Sequence, residues 1–216
     1  MCKVLLVDDD AGLREALEAA LASHGYQVSS AQDGFAALRA AVDRKPDVMV
    51  SDVNMPCLEG PDAVRILKAL PRFRDVPVVF MSGAELPATG LAEATLRKPV
   101  IAERLVELIE YVSQPAASRP VPSPQPHPVL EDADDEGWNP ARAAASLAPP
   151  EGTECEARIC RGIELMHAQA ARIRRLRRGG LNTEASERLY ERLVDSVASL
   201  LQYLPGEASM RARQRR

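Results

Sequence analysis

The chain is poor in aromatic residues and has no long hydrophobic stretch. Aromatic side chains make up 4% of the 216 residues, whereas hydrophobic residues make up 46%, so we expect a packed core that is mostly aliphatic. No run approaches the roughly 18 apolar residues of a membrane-spanning helix. The apolar run after Lys3 is too short for a secretory signal and ends in acidic residues. We therefore expect a cytoplasmic protein.

The four cysteines do not form a pattern that is typical of a disulfide framework or a zinc site. They are Cys2, Cys57, Cys155 and Cys160. The gap between the last two is not a zinc-ligand spacing, and no second pair accompanies it. We expect free thiols in a reducing compartment.

The net charge of −4 is also small, and by itself it neither favours nor excludes nucleic-acid binding. Its distribution is more informative. Residues 1–112 carry 12 basic and 17 acidic side chains, whereas residues 151–216 carry 13 basic and 9 acidic ones. The sequence thus predicts an acidic module joined to a mildly basic C-terminal part.

Residues 1–112 alternate between short apolar runs and segments with helical spacing of apolar residues. This alternation with short links predicts an α/β fold, a doubly wound five-stranded parallel sheet with helices on both faces. The predicted strands are 4–7, 26–31, 47–51, 76–81 and 94–97. The predicted helices are 13–21, 36–42, 63–70 and 101–112.

A linker and a second helical unit follow this domain. Residues 113–152 hold six prolines between Gln114 and Pro128, then an acidic patch, which predicts a disordered extended linker. Residues 153–204 predict two helices, and residues 205–216 form a basic tail. The short link 179–182, with Gly179 and Gly180 ending the first helix, makes the two helices antiparallel.

Each predicted C-terminal helix has one apolar stripe. We expect Thr183 to cap the second helix. A lone helical hairpin buries too little surface to be stable, so we expect it to dimerise, to dock on a partner or to dock on the first domain. The stripes are Ile159, Ile163, Met166, Ala170 and Ile173, then Leu189, Leu193, Val197, Leu200 and Leu204.

Polar residues follow four of the predicted strands. Because ligands bind at the carboxyl ends of strands in an open parallel sheet, these residues should meet at one edge. Several carboxylates together favour a hard divalent cation, most simply Mg²⁺, and a metal with a lysine suits phosphoryl chemistry. The residues are Asp8 and Asp9 after the first strand, Asp52 and Asn54 after the third, Ser82 after the fourth and Lys98 after the fifth. Asp10 is better placed at the start of the following helix.

The motifs VLLVDDD, VSDVNMP, MSG and RKP, in this order, resemble the signatures of a response-regulator receiver domain over about residues 1–112. The resemblance implies that Asp52 accepts a phosphoryl group from a histidine kinase or phosphotransfer protein. It implies that Asp8, Asp9, Asp52 and the backbone carbonyl of Asn54 bind Mg²⁺. It further implies that Ser82 and Lys98 contact the phosphoryl group, that Pro99 follows a cis bond, and that Gly60 opens the next helix.

Two features depart from that family. Receivers usually carry an aromatic switch residue three positions before the lysine, whereas this chain has Thr95, a small polar side chain, in the switch position. The stretch from Ser82 to Lys98 is also several residues shorter than is usual. We expect the helix within this stretch to be shortened or irregular, and whether the segment 83–97 keeps a fourth helix stays open.

We expect output by protein–protein interaction through the hairpin, and two alternatives remain. The arginines between Arg172 and Arg178 could make the hairpin an atypical DNA-binding tail of a transcriptional regulator, although a helix-turn-helix needs about three helices. Phosphate could instead pass to His167, which we expect to be a half-buried packing residue. We expect no enzyme, because aspartyl-nucleophile phosphatases of the haloacid-dehalogenase type need a carboxylate where Asn54 stands.

Overall fold

A computed structural model describes residues 1–83, 90–114 and 154–204 of the chain. Five parallel strands form one sheet in the order β2-β1-β3-β4-β5. Every residue of β3 and β4 is buried, as expected of strands covered on both faces. The predicted five-stranded parallel sheet is therefore confirmed. The strands are β1 Lys3–Val7, β2 Gln27–Ala31, β3 Val48–Asp52, β4 Val78–Ser82 and β5 Ala94–Arg97.

Helices cover both faces of the sheet. Helices α1 (Ala11–Ser23) and α4 (Ala102–Ser113) share one aliphatic core with one face. Helices α2 (Gly34–Asp43) and α3 (Gly60–Ala69) share a second core with the other face. A single 3₁₀ turn, Pro71–Phe73, follows α3. The four predicted helices are all present, and their ends move by no more than three residues.

Aspartates cap the first two helices. Asp10 accepts a hydrogen bond from the backbone N–H of Leu13, which confirms its predicted place at the start of a helix. Asp33 accepts one from the N–H of Ala36 at the start of α2. Such caps satisfy backbone donors that have no partner within the helix.

The C-terminal unit is a helical hairpin of α5 (Glu154–Arg178) and α6 (Glu184–Leu201). Gly180 ends α5 with a φ of 64°, and the N–H of Leu181 returns to the carbonyl of Leu176, as in a glycine C-cap. The helices pack so closely that a Cβ on Gly162 would lie 2.4 Å from Cγ2 of Val197. The predicted hairpin is thus confirmed.

Two details of the hairpin differ from the prediction. Thr183 stands at the N-cap position of α6, as predicted, but its hydroxyl donates to Glu187. The N–H of Glu184 is instead capped by the side chain of Asn182, at 2.8 Å. Leu189 is 44% exposed. The buried face of α6 differs from the predicted stripe, because this helix packs on the first domain as well as on α5. It consists of Ser186, Tyr190, Val194, Val197, Ala198 and Leu201.

Several predictions fall outside the described residues. These are the linker beyond residue 114, the tail 205–216 and the 84–89 part of the shortened segment. The flanks of that segment, residues 83 and 90–93, are not helical. Within the described ranges, no helix is both long and apolar enough to cross a bilayer.

Candidate functional site

Three carboxylates meet at the carboxyl edge of the sheet. Asp8 and Asp9 follow β1, and Asp52 is the last residue of the neighbouring β3. Each places one oxygen so that these three atoms lie within 4.8 Å of one another. Asp8 and Asp52 are buried, whereas Asp9 is exposed. The structure thus assembles the predicted acidic cluster.

Lys98 joins the two buried carboxylates. Its Nζ lies 2.6 Å from Oδ2 of Asp52 and 2.9 Å from Oδ2 of Asp8. The Lys98 side chain is 24% exposed and that of Asp8 is fully buried, so solvent screens these pairs only weakly. One ammonium group therefore offsets part of the negative charge of three carboxylates.

The pKa of Lys98 reflects this position. Burial lowers it, but the hydrogen bonds to Asp52 and Asp8 together outweigh burial, and the pKa is raised above its usual value. Lys98 is consequently a cation at neutral pH. The peptide bond from Lys98 to Pro99 is cis, as the sequence predicted.

Backbone contacts fix the two buried carboxylates from the side opposite the lysine. Oδ1 of Asp8 accepts the N–H of Asp10 at 2.9 Å. Oδ1 of Asp52 accepts the N–H of Asn54 at 3.3 Å. Each carboxylate therefore directs one oxygen to the main chain and the other to Lys98.

Gly60 allows the chain after β3 to return closely over Asp52. A Cβ at this position would lie 2.0 Å from the carbonyl oxygen of Asp52 and 2.7 Å from Oγ of Ser51. The N–H of Gly60 also donates to the carbonyl of Val53 at 3.0 Å. Only glycine fits here without moving backbone, so the predicted turn glycine supports the site itself.

The donor set fits a hard divalent cation. Carboxylate oxygens from three residues converge, one of them on an exposed side chain, and such oxygens are the ligands that Mg²⁺ prefers. Asn54 is exposed beside Asp52. Asp8, Asp9 and Asp52, with the main chain of Asn54, are the residues that could hold the ion.

The remaining predicted residues lie on β4 and β5. Ser82 is buried at the end of β4. Thr95 is exposed on the edge strand β5, opposite Phe80 and three residues before Lys98. Its role as the switch residue stays a prediction.

The sequence did not indicate Arg14 as part of this edge. The guanidinium of Arg14, one turn into α1, donates to the carbonyl oxygen of Asp8 at 2.7 Å. One sign of this contact is present in the sequence, namely an arginine in the first turns of the helix that follows the acidic end of β1. This contact places a cationic group at the main chain of Asp8.

The hairpin lies against α2, α3 and the loop between β3 and α3. Tyr190 of α6 donates its hydroxyl to Oδ1 of Asp62 in the first turn of α3 at 2.5 Å. Arg39 of α2 pairs with the buried Glu156 of α5 at 2.9 Å. Of the three arrangements that the sequence left open, docking on the first domain is the one present in the structure.

His167 is part of this contact. Its Nε2 lies 3.8 Å from Oδ2 of Asp62, and its side chain is 10% exposed. Burial lowers the pKa of His167, Asp62 opposes this effect and Arg174 adds to it, and the net shift is downward. The predicted packing role for this histidine agrees with its position.

Comparison with known proteins extends over the first domain. Residues 4–110 match the family model described as the response regulator receiver domain. The transcriptional regulatory protein PrrA of Mycobacterium tuberculosis is 38% identical over 114 residues, which are 50% of this chain and 48% of that protein. The response regulator MprA of Mycobacterium sp. strain KMS is 36% identical over 110 residues, 48% and 47% of the two chains.

The fold has a matching relative among solved structures. The chemotaxis protein CheY4 of Vibrio cholerae superimposes with a TM-score of 0.50 and is 31% identical, over 52% of this chain and 98% of that one. The present chain spans about half the length of the curated relatives that it matches, and the hairpin lies outside the 4–110 match.

Proposed function

Because residues 4–110 belong to the response regulator receiver family, we propose that this chain is a two-component response regulator that accepts a phosphoryl group on Asp52. The donor is a histidine kinase or a phosphotransfer protein, and the reaction depends on Mg²⁺. One observation carries the proposal: Lys98 bridges Asp8 and Asp52 within a cluster of three carboxylates.

Asp52 is the best nucleophile of the three carboxylates. Asp8 is fully buried. One of its carboxylate oxygens accepts the N–H of Asp10, and the other pairs with Lys98. Asp9 is exposed to solvent. Asp52 combines slight exposure with an oriented carboxylate on a fully buried strand, which suits in-line attack on a docked phosphoryl group.

The transfer balances without a further reactant. An Asp52 oxygen forms a P–O bond while the P–N bond of a donor phosphohistidine breaks and its electron pair stays on the ring nitrogen. The imidazole leaves neutral when its other nitrogen carries a proton, and otherwise the departing nitrogen takes a proton from water. We expect Lys98 to pair with the incoming phosphoryl oxygens. A Mg²⁺ held by Asp8, Asp9 and Asp52 would neutralise charge on those oxygens.

We propose output through protein contacts of the hairpin. Its helices form a two-helix unit that packs on the receiver, whereas a helix-turn-helix needs about three helices. PrrA is described as a transcriptional regulatory protein, and exposed arginines near the end of α5 leave DNA binding as a second candidate here. The buried position of His167 lends no support to phosphate transfer to it.

Intact mass spectrometry tests the central proposal. The full chain is incubated with acetyl phosphate and Mg²⁺, and we expect a mass gain of one phosphoryl group. The gain should vanish in D52N and when chelator replaces Mg²⁺. A gain that persists in D52N would contradict the assignment.

The choice of output is tested separately. The phosphorylated and unphosphorylated chains are titrated into random-sequence duplex DNA at physiological salt in a mobility-shift assay. We expect no retained complex. A shift that disappears when Arg174 and Arg175 are replaced by Gln would instead favour the DNA-binding alternative.

A further inference from the structure

We propose that the α2–α3 face is the output surface of this receiver, that its occupant is the chain's own hairpin, and that phosphorylation of Asp52 weakens this docking. The inference rests on the proposed phosphorylation of Asp52. We define the docking face as α2, α3 and the loop 53–59 that joins β3 to α3.

The docking face and the hairpin share one continuous apolar core. Ile159, Ile163 and Met166 of α5 and Val197 and Leu201 of α6 are buried in the same cluster as the core of α2 and α3. A hairpin of this size does not stabilise itself. The receiver therefore supplies the surface that the hairpin needs to stay folded and covered.

Buried polar groups make this contact specific. The Tyr190 hydroxyl bonds to Asp62, and the guanidinium of Arg65 lies over the Tyr190 ring at 5.7 Å from its centre. Glu156 is 4% exposed and faces Arg39 of α2. Misplacing such groups leaves buried charge without a partner, so the face accepts this hairpin in this arrangement.

The loop 53–59 connects the acceptor carboxylate to the docked hairpin. It begins beside Asp52, where Asn54 N–H holds one carboxylate oxygen. Five residues beyond the acceptor, Cys57 is buried with a φ of 71° and packs against Cys160 of α5. The loop ends at Gly60, which returns to the Asp52 carbonyl. Its two ends are fixed at the acceptor and its middle contacts the hairpin.

Phosphorylation must change the hydrogen bonds at the start of this loop. One oxygen of Asp52 accepts from Asn54 and the other from Lys98. Whichever oxygen becomes the bridging oxygen of the acyl phosphate loses acceptor strength and gains a bulky group that carries about two negative charges. Because the loop runs from the acceptor to the buried contact with Cys160, we expect phosphorylation to open the contact between Cys57 and Cys160.

The four cysteines provide a built-in assay. Cys57 and Cys160 are buried in the contact between receiver and hairpin, and burial raises the pKa of Cys160, so the docked thiol reacts slowly. Cys155 donates to Leu200 and reports on the contact between α5 and α6. Cys2 is partly buried and packs against the core on the opposite face of the sheet.

The experiment is timed alkylation of the full chain with iodoacetamide, read by peptide mass spectrometry, while intact mass records phosphorylation by acetyl phosphate and Mg²⁺. We expect phosphorylation to accelerate labelling of Cys57 and Cys160 about tenfold, an ordinary size for coupling between two sites. Labelling of Cys2 should stay constant, and D52N should show no acceleration.

A matched pair of variants checks that labelling reports docking. Y190F loses the bond to Asp62 and should accelerate labelling of Cys57 and Cys160 in the unphosphorylated chain. Y203F alters a tyrosine that is 76% exposed and should leave labelling unchanged.

The outcomes separate the two proposals. A phosphorylated chain with unchanged labelling of Cys57 and Cys160 overturns the inference and leaves the proposed function intact. Acceleration at all four cysteines indicates general unfolding and also overturns it. A chain that gains no phosphoryl group fails the proposed function, and the inference fails with it.

Discussion

Replacing Lys98 by methionine removes the one ammonium that joins Asp8 and Asp52. The substitution keeps the length and apolar stem of the side chain, so its main effect is electrostatic. Two buried carboxylates, with oxygens no more than 4.8 Å apart, would then face each other beside Asp9. We expect K98M to fold with reduced stability.

The size of the loss follows from the distances. Two unit charges 4.8 Å apart repel by about 3 kcal/mol at an effective dielectric constant of about 20. Removing one partner of a buried ion pair costs about 3–5 kcal/mol. Because Lys98 is 24% exposed, solvent reduces this cost, and we expect a loss of about 2–3 kcal/mol.

Mg²⁺ should restore part of that loss. A divalent cation bound by the three carboxylates supplies the missing positive charge and stabilises the folded state by mass action. Urea denaturation followed by circular dichroism, with and without Mg²⁺, measures the effect. We expect Mg²⁺ to raise the free energy of unfolding of K98M by more than it raises that of the unaltered chain.

The exposed Lys45 provides the matched control. K45M should unfold at the same urea concentration as the unaltered chain and respond equally to Mg²⁺. If K98M is as stable as K45M, or if Mg²⁺ affects both equally, the lysine does not offset the charge of a cation site and the electrostatic reasoning is wrong.

Three further predictions concern the loop, the hairpin and pH. G60A should lose about 3 kcal/mol of stability and phosphorylate poorly, because the added Cβ would lie 2.0 Å from the Asp52 carbonyl. N182A should lose about 1 kcal/mol in urea denaturation, because the cap on Glu184 disappears. Burial lowers the pKa of His167, so protonation favours the undocked chain. The contribution of His167 to the free energy of unfolding is therefore complete above pH 6.5 and is lost as the pH decreases below 6.5. H167Q should flatten the profile of stability against pH in that range.

Each of these predictions has a control. G12A places its Cβ at ordinary contact distance within α1 and should preserve stability, so an equal loss in both glycine variants would count against the close approach at Gly60. T183A should cost less than N182A, and the reverse order would restore the original cap assignment. H24Q alters an exposed histidine and should keep the pH dependence that H167Q removes.

The sheet edge was predictable because topology alone brings its residues together. In a parallel sheet, residues that follow β1, β3, β4 and β5 must meet at one end, whatever their separation along the chain. The strand ends therefore bring Asp8, Asp52 and Lys98 together, and no knowledge of the detailed side-chain packing is needed to predict this. Asp10 could be separated from the cluster because a capping aspartate has a defined position before its helix.

The docked hairpin was not predictable at the same level. The Asp62–Tyr190 bond joins residues 128 positions apart, and neither residue has a local pattern that indicates the other. Helix α6 is also apolar on more than one side, so its own spacing could not show that Tyr190 faces inward and Leu189 outward. Which side of α6 is buried depends on the surface of α3, and the spacing of apolar residues within α6 carries no information about that surface.

The most direct measurement is chemical location of the phosphoryl group. The full chain is treated with acetyl phosphate and Mg²⁺, the acyl phosphate is reduced with borohydride, and the modified residue is identified by peptide mass spectrometry. A homoserine at position 52 alone is the predicted result. Homoserine at position 8 or 9, or phosphate retained on His167 with an unmodified Asp52, would contradict the assignment of Asp52 as acceptor.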